Sequence, residues 1–249
     1  MRRIHTTAVV ALLAFALPAL VSAQDTERVH KVVPLGPGGT VTLDNFSGDI
    51  RIVGADVNDV TIDAVRTASR DKLDRVKLDI QADGSSVVIQ ANKKEAGWSP
   101  GRDTVVRTDF DITVPRRAQL EVKAFSSGVH VRGVAGQQRI KTFSGNVDVE
   151  GGPARIRAKT FSGTIDVQLA PGATSPDLDL QTFSGRIGLR VPDGARAGLD
   201  FDSFSGRLTS EAPLTVAEQR KGHLLGAIGG GGQNRIRLKT FSGDVQIGR

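Results

Sequence analysis

The feature that most constrains the fold is a five-residue string that occurs three times. It reads Lys141-Thr142-Phe143-Ser144-Gly145, Lys159-Thr160-Phe161-Ser162-Gly163 and Lys239-Thr240-Phe241-Ser242-Gly243. Shorter copies stand at Phe46-Ser47-Gly48, Phe183-Ser184-Gly185 and Phe204-Ser205-Gly206, and Phe125-Ser126-Ser127-Gly128 carries one extra serine. Seven of the nine phenylalanines beyond residue 23 lie in this motif, so the aromatic content belongs to the repeat. The phenylalanines at 125, 143 and 161 are 18 residues apart, the next two steps are 22 and 21, and the step from 204 to 241 is 37. Fixed periods of this size mark repeat architectures.

Each unit is an alternating run, the Phe-Ser-Gly string and a second alternating run, as in Ile156–Thr160 and Thr164–Gln168. Alternation with period two predicts strands with one buried face. Glycine after serine predicts a turn that needs positive φ or close backbone approach. One such unit cannot bury its apolar face alone, whereas units stacked about 4.8 Å apart share a continuous core. The expected fold is therefore all-β: a parallel β-solenoid of stacked two-strand rungs, with a less regular β portion near residues 54–119. Ile140, Ile156, Leu180 and Leu238 are expected to point inward from the first strands, and Val147, Ile165, Ile187, Leu208 and Val245 from the second. Phe46, Phe125, Phe143, Phe161, Phe183, Phe204 and Phe241 lie at the corner, as an internal ladder or an exposed stripe able to stack on sugar rings. Burial is the favoured reading, because a stripe of that size on a soluble protein is a liability.

Strand-Thr-Phe-Ser-Gly-Asp/Asn-Val/Ile-x-Val, repeated behind an export signal, resembles the bacterial β-strand-repeat family of putative adhesins. The resemblance spans roughly residues 41–249 and is clearest over 120–207 and 235–247. It implies an often extracytoplasmic, β-solenoid-like domain without an established enzymatic activity, and it supplies no catalytic residues.

Residues 1–23 have the layout of a secretory signal peptide: Arg2 and Arg3, an apolar stretch from Ala8 to Leu20, then Val21-Ser22-Ala23. The stretch is short for a membrane span, which needs about 20 apolar residues. Cleavage after Ala23 and a periplasmic or secreted location are therefore expected, with no transmembrane segment in the mature chain. The absence of cysteine excludes disulfides and a lipid anchor on cysteine. Without Arg2 and Arg3 the chain has 31 basic and 27 acidic residues, too mild an excess to suggest a nucleic-acid partner. Residues 24–40 read as a flexible lead-in with a strand at Val29–Val33, and residues 41–249 as a single domain. Within 54–119 strands are expected near 60–65, 76–81, 87–91 and 105–114, as degenerate rungs or an antiparallel elaboration. Asp83-Gly84 is a hairpin signal, and 67–74 is the one place for a helical turn. Residues 211–234 read as a long loop.

Little in the chain suggests catalysis. Gly97-Trp98-Ser99-Pro100-Gly101 matches the G-x-S-x-G string of a nucleophile elbow, but Pro100 opposes the helix that elbow requires, so a turn is the reading. The glycines of 226–232 lack the Gly-Lys-Ser/Thr of a phosphate loop. His30, His130 and His223 have no ligand spacing. Asp177, Asp179, Asp200 and Asp202 are a conceivable Ca²⁺ cluster on adjacent rungs, against the plainer reading of solvated surface. No catalytic residue, metal or cofactor is expected.

Charge is more informative. Lys123, then Arg139 and Lys141, then Arg157 and Lys159 fall on outward positions of three successive rungs, although like charges across strands are destabilising. They form a candidate anionic-ligand face, and the alternative is a solvated, aggregation-resistant surface. The later rungs read Asp179 and Gln181, Asp200 and Asp202, then Arg237 and Lys239, so opposite charges meet if the last repeat stacks on the rung of Asp202. The last repeat is expected to leave a free C-terminal sheet edge for a second copy or a partner strand. The resulting expectation is a non-enzymatic exported binding or scaffold module of the cell envelope, with an envelope polysaccharide or another envelope protein as partner. The alternatives are an anionic-glycan-binding protein or a carbohydrate-active β-solenoid enzyme, which needs a carboxylate or Ca²⁺ constellation.

Overall fold

The computed structural model describes residues 24–94, 105–153 and 155–249. Alternating sequence becomes strand throughout. In order these are β1 (Asp25–Ser47), β2 (Ile50–Ala55), β3 (Asp59–Ala68), the short helix α1 (Arg70–Arg75), β4 (Val76–Ala82), β5 (Gly84–Lys94) and β6 (Arg107–Pro115). The repeats follow as β7 (Gln119–Ser126), β8 (Val129–Arg132), β9 (Gln138–Ser144), β10 (Val147–Gly152), β11 (Arg155–Ser162), β12 (Ile165–Leu169), β13 (Asp177–Ser184) and β14 (Ile187–Arg190). Then come β15 (Ala197–Ser203), β16 (Leu208–Ser210), β17 (Leu214–Arg220), β18 (His223–Ile228), β19 (Arg235–Ser242) and β20 (Val245–Gly248). The described residues form an all-β fold, one mixed sheet of twenty strands.

The sheet has two layers because β1 passes through both. In the front layer the neighbours run β4, β5, β1, β7, β9, β11, β13, β19, β15, β18, β17, parallel from β5 to β15. In the back layer they run β1, β3, β6, β2, β8, β10, β12, β14, β20, β16, parallel from β6 onward. Each Phe-Ser-Gly string carries the chain from a front strand to a back strand. The core lies between the layers and is built of in-register columns. Leu43, Val122, Ile140, Ala158, Leu180, Leu238 and Phe201 face it from the front, and Ile50, Val129, Val147, Ile165, Ile187, Val245 and Leu208 from the back. All but Leu208, which is half-buried, are buried. Ile156 shares its column with Gln138, Leu178 and Ile236 rather than with Ile140.

Three expectations are corrected and one open alternative is decided. The lead-in at 24–40 is strand, because Asp25–Pro34 pairs antiparallel with β3. Its Pro/Gly stretch is where β1 crosses between layers, with Gly38 at φ 73 and a register break between Leu35 and Thr40. Of the two alternatives for 54–119, the antiparallel one holds for β3 on β6 and β4 on β5, while β5 and β6 also join the parallel layers beside β1 and β2; α1 overlaps the stretch that allowed a helical turn. At its hairpin tip Asp83 accepts hydrogen bonds from the backbone and hydroxyls of Ser85 and Ser86, which hold its carboxyl down at about 2. The 211–234 loop contains the β17–β18 hairpin, which covers the outer edge of β15. Finally, the last repeat has no free edge. β19 is inserted between β13 and β15, and β20 between β14 and β16. Arg237 thereby lies between Asp179 and Asp200, a placement that charge favours.

Candidate functional site

Carried through Lys-Thr-Phe, strand alternation puts threonine inside and lysine and phenylalanine outside. Thr142, Thr160, Thr182 and Thr240 are buried accordingly. The hydroxyls of Thr142, Thr160 and Thr182 donate to carbonyls of the preceding rung, those of Ser127, Gly145 and Gly163, at 3.1–3.4 Å. The motif glycine is required by rung spacing. A Cβ on Gly163 would lie 2.2 Å from the carbonyl oxygen of Gly145, and one on Gly185 2.0 Å from that of Gly163. Both glycines also sit at positive φ, 152° and 156°.

The phenylalanines are outside, which corrects the expected internal ladder. Their order along the stack is Phe46, Phe125, Phe143, Phe161, Phe183, Phe241, Phe204, with ring centroids 4.7–5.0 Å apart and planes within 17° of parallel. Six of them are 40–46% exposed, and Phe204, at the end of the stack, is 72% exposed. Stacking on neighbours at the strand spacing leaves those six less than half exposed, which offsets the liability of an apolar stripe.

Two residues before each phenylalanine, a second column runs alongside the ladder: Asp44, Lys123, Lys141, Lys159, Gln181, Lys239 and Asp202. The column beyond it reads Glu121, Arg139, Arg157, Asp179, Arg237 and Asp200. The five sequence-predicted cations are thus brought together in mid-ladder. Lys123 has Glu121 at 3.5 Å, and Asp179 lies 3.8 Å from Arg157 and 3.7 Å from Lys159. Among the described residues no carboxylate comes within 4 Å of Arg139 or Lys141. Between the ladder and the lysine column runs an open trough. One stretch of about 700 Å³ is lined by Lys141, Lys159, Lys239, Phe161, Phe183 and Phe241 among others. Another of about 410 Å³ lies beside Phe46, Phe125 and Lys123.

The four aspartates do not form one cluster. Asp177 and Asp179 serve Arg155, Arg157 and Lys159, whereas Asp200 and Asp202 lie beyond β19. Asp200, Asp202 and His223 do place ligand atoms within 4.8 Å of one another, a closeness that sequence spacing conceals because β18 brings the histidine back. His223 Nδ1 lies 2.8 Å from Asp202, and Arg237 Nε donates to Asp200 at 3.4 Å, so protein groups already occupy these carboxylates. The other two described histidines pair separately, His30 with Asp63 and His130 with Asp148. The glycines at 229, 230 and 231 form a turn at positive φ. The 97–101 string lies outside the described residues, and no described helix is long and apolar enough to cross a membrane.

The sequence from 39 to 248 matches the model of the Toastrack DUF4097 family. This chain belongs to that family. No curated protein matches it. Among solved structures, this Toastrack chain is similar in fold to a "putative cell adhesion protein" from Clostridium sporogenes. Identity is 8%, 89% of this chain and 99% of that one are covered, and the TM-score is 0.53. A "putative adhesin" from Bacteroides fragilis matches at 10% identity over 89% of this chain and 97% of that one, with a TM-score of 0.44.

Proposed function

We propose that this Toastrack chain is a non-enzymatic, exported binding or scaffold module of the bacterial envelope, a β-solenoid of two-strand rungs occupying residues 41–249. Its binding face is the trough between the phenylalanine ladder and the lysine column, directed at an anionic envelope component through Lys123, Arg139, Lys141, Arg157 and Lys159. The observation that carries this reading is the stacking of like charge on three successive rungs beside an exposed apolar ridge. Such a face concentrates positive potential where a solvated surface would mix signs. A long anionic polymer, such as an acidic polysaccharide, suits a trough that runs across the rungs. Export rests on residues 1–23, read as a signal peptide removed after Ala23. Intact mass of the exported protein should then place the N-terminus at Gln24, and retention of residues 1–23 would reject that step.

The test of the face is binding of the mature chain to acidic polymers in low and high salt. Binding should weaken as salt rises, and Arg157→Glu with Lys159→Glu should abolish it. A wild type that shows no salt-sensitive binding to any anionic envelope component reduces the face to solubilising surface.

A further inference from the structure

The ring geometry bears on what can lie against the ladder. A sugar stacks on the face of an aromatic ring, and stacked rings cover one another's faces. Phe125, Phe143, Phe161, Phe183 and Phe241 each have a neighbouring ring over both faces. Only Phe204, 72% exposed at one end, keeps an open outer face; Phe46 at the other end is 40% exposed, no more than the interior rings. What the five interior rings offer to solvent is their hydrogen-bearing edges, joined in one ridge. Six steps at the inter-strand spacing make the ridge roughly 29 Å long. Ring edges bury hydrocarbon by area, without the directional fit that a sugar ring requires.

The charges are arranged along the same ridge. Lys123, Lys141 and Lys159 stand beside its middle, and the carboxylates in that column, Asp44 and Asp202, stand at its ends. Two residues of strand separate the lysine and phenylalanine columns, about 7 Å, and both leave the same side of the sheet. A surface that combines an apolar ridge with a basic row matches the boundary of an anionic lipid layer. There hydrocarbon enters the acyl region while basic groups meet headgroup phosphates.

Resting on the reading of this trough as the binding face, we propose that its ligand is an anionic lipid surface. The lysines meet the phosphates and the phenylalanine edges enter the acyl boundary. A bare acidic polysaccharide would engage the cations and leave the ridge uncovered.

Co-sedimentation of the mature full chain with vesicles tests this. Phosphatidylglycerol in phosphatidylcholine should bind at least tenfold more strongly than phosphatidylcholine alone, and salt should weaken the binding. Lys141→Glu with Lys159→Glu should lower the partition coefficient about tenfold, and Phe143→Ser with Phe161→Ser by a similar factor. Phe204→Ser touches one neighbour only and leaves the rest of the stack in place, so it should fold and bind about twofold to threefold more weakly. The Phe204 variant therefore keeps the test open if the double serine variant does not fold. Anionic vesicles bound equally by wild type and by the folded phenylalanine variants would overturn the lipid assignment. Binding to soluble polygalacturonate but not to vesicles would also overturn it, while leaving the anionic face standing. Binding to neither would remove both.

Discussion

The two outer faces of this protein are built by the same in-register stacking and use it in opposite ways. Along the middle of the front, like stands on like, phenylalanine on phenylalanine and Lys123 on Lys141 on Lys159, while opposite charges meet further along, where Arg237 lies between Asp179 and Asp200. On the back, opposite charges meet. Arg51 faces Asp111 at 3.5 Å, His130 faces Asp148 at 3.1 Å, Arg132 faces Glu150 at 2.7 Å, and Arg186 faces Asp166 at 3.6 Å. Exposed pairs of this kind contribute only about 0–1 kcal/mol each, so stability is a weak reason for the difference. Field is a stronger one. Stacking writes one sequence position many times along a line, and the front face sums what the back face cancels.

The largest expected effect lies at the corner where the two faces join. Gly163→Ala sets a Cβ against the Gly145 carbonyl and holds a non-glycine residue at φ 152°. It should cost roughly 3 kcal/mol or more, from overpacking and backbone strain together. Gly172→Ala meets nothing within 4 Å and should stay within about 0.5 kcal/mol of wild type. Denaturant melts of the two variants compare them directly, and equal midpoints would show that rung spacing does not dictate the glycine.

Next in size is the ladder. Phe161→Ala removes two stacking contacts from a half-exposed ring, about 2 kcal/mol in all. That is below the ~3–5 kcal/mol of a buried phenylalanine. Phe204→Ala removes one contact from the ring that is 72% exposed and should cost about 1 kcal/mol or less. A midpoint shift for Phe161→Ala as large as that of a core deletion such as Leu180→Ala would mean the ladder is buried by a partner in solution.

Much of this was legible in the chain. Alternation identified the inward columns, and the glycines identified the corners. The outward direction of the phenylalanines was legible too: in Ile156-Arg157-Ala158-Lys159-Thr160-Phe161 the alternation, taken one step further, puts Phe161 outside. The cost of an exposed stripe weighed against that step, and what offsets the cost is ring stacking, which exists only once the rungs are in register. Strand order was harder. Every rung has similar length and apolar content, so spacing cannot say that β19 enters between β13 and β15. Only the acidic residues on both sides of Arg237 carry that information, and they favour either neighbour alone as well as both. The β17–β18 hairpin was hidden by its glycines and proline, which read as loop although Leu224 and Ile228 are buried.

A smaller effect separates the faces by sign. Lys141→Glu inserts a carboxylate between Lys123 and Lys159 and should raise stability by about 0.5 kcal/mol. Arg132→Glu on the back places like charge beside Glu150 and should lower stability by a similar amount. If both variants move in the same direction, charge stacking is not what distinguishes the faces.

The smallest effect comes from a back-face position where like charges adjoin. Asp148 stands across the strands from Asp166 as well as from His130. Burial pushes its carboxyl above the ordinary 3.8, Asp166 and Glu150 push it further the same way, and His130 opposes them. A folded-state value above the unfolded one means that folding favours the protonated form. The ionised carboxylate therefore costs stability above the folded value, and the cost fades as pH falls through that value towards 3.8. Asp148→Asn, made in a His130→Gln background so that histidine charge does not enter, should raise the melting temperature at pH 7.5. The gain should shrink to nothing as the pH approaches 3.8. A variant that melts at or below its parent at pH 7.5 would show that Asp148 is stabilised as a carboxylate, and that even here the back face cancels its charge.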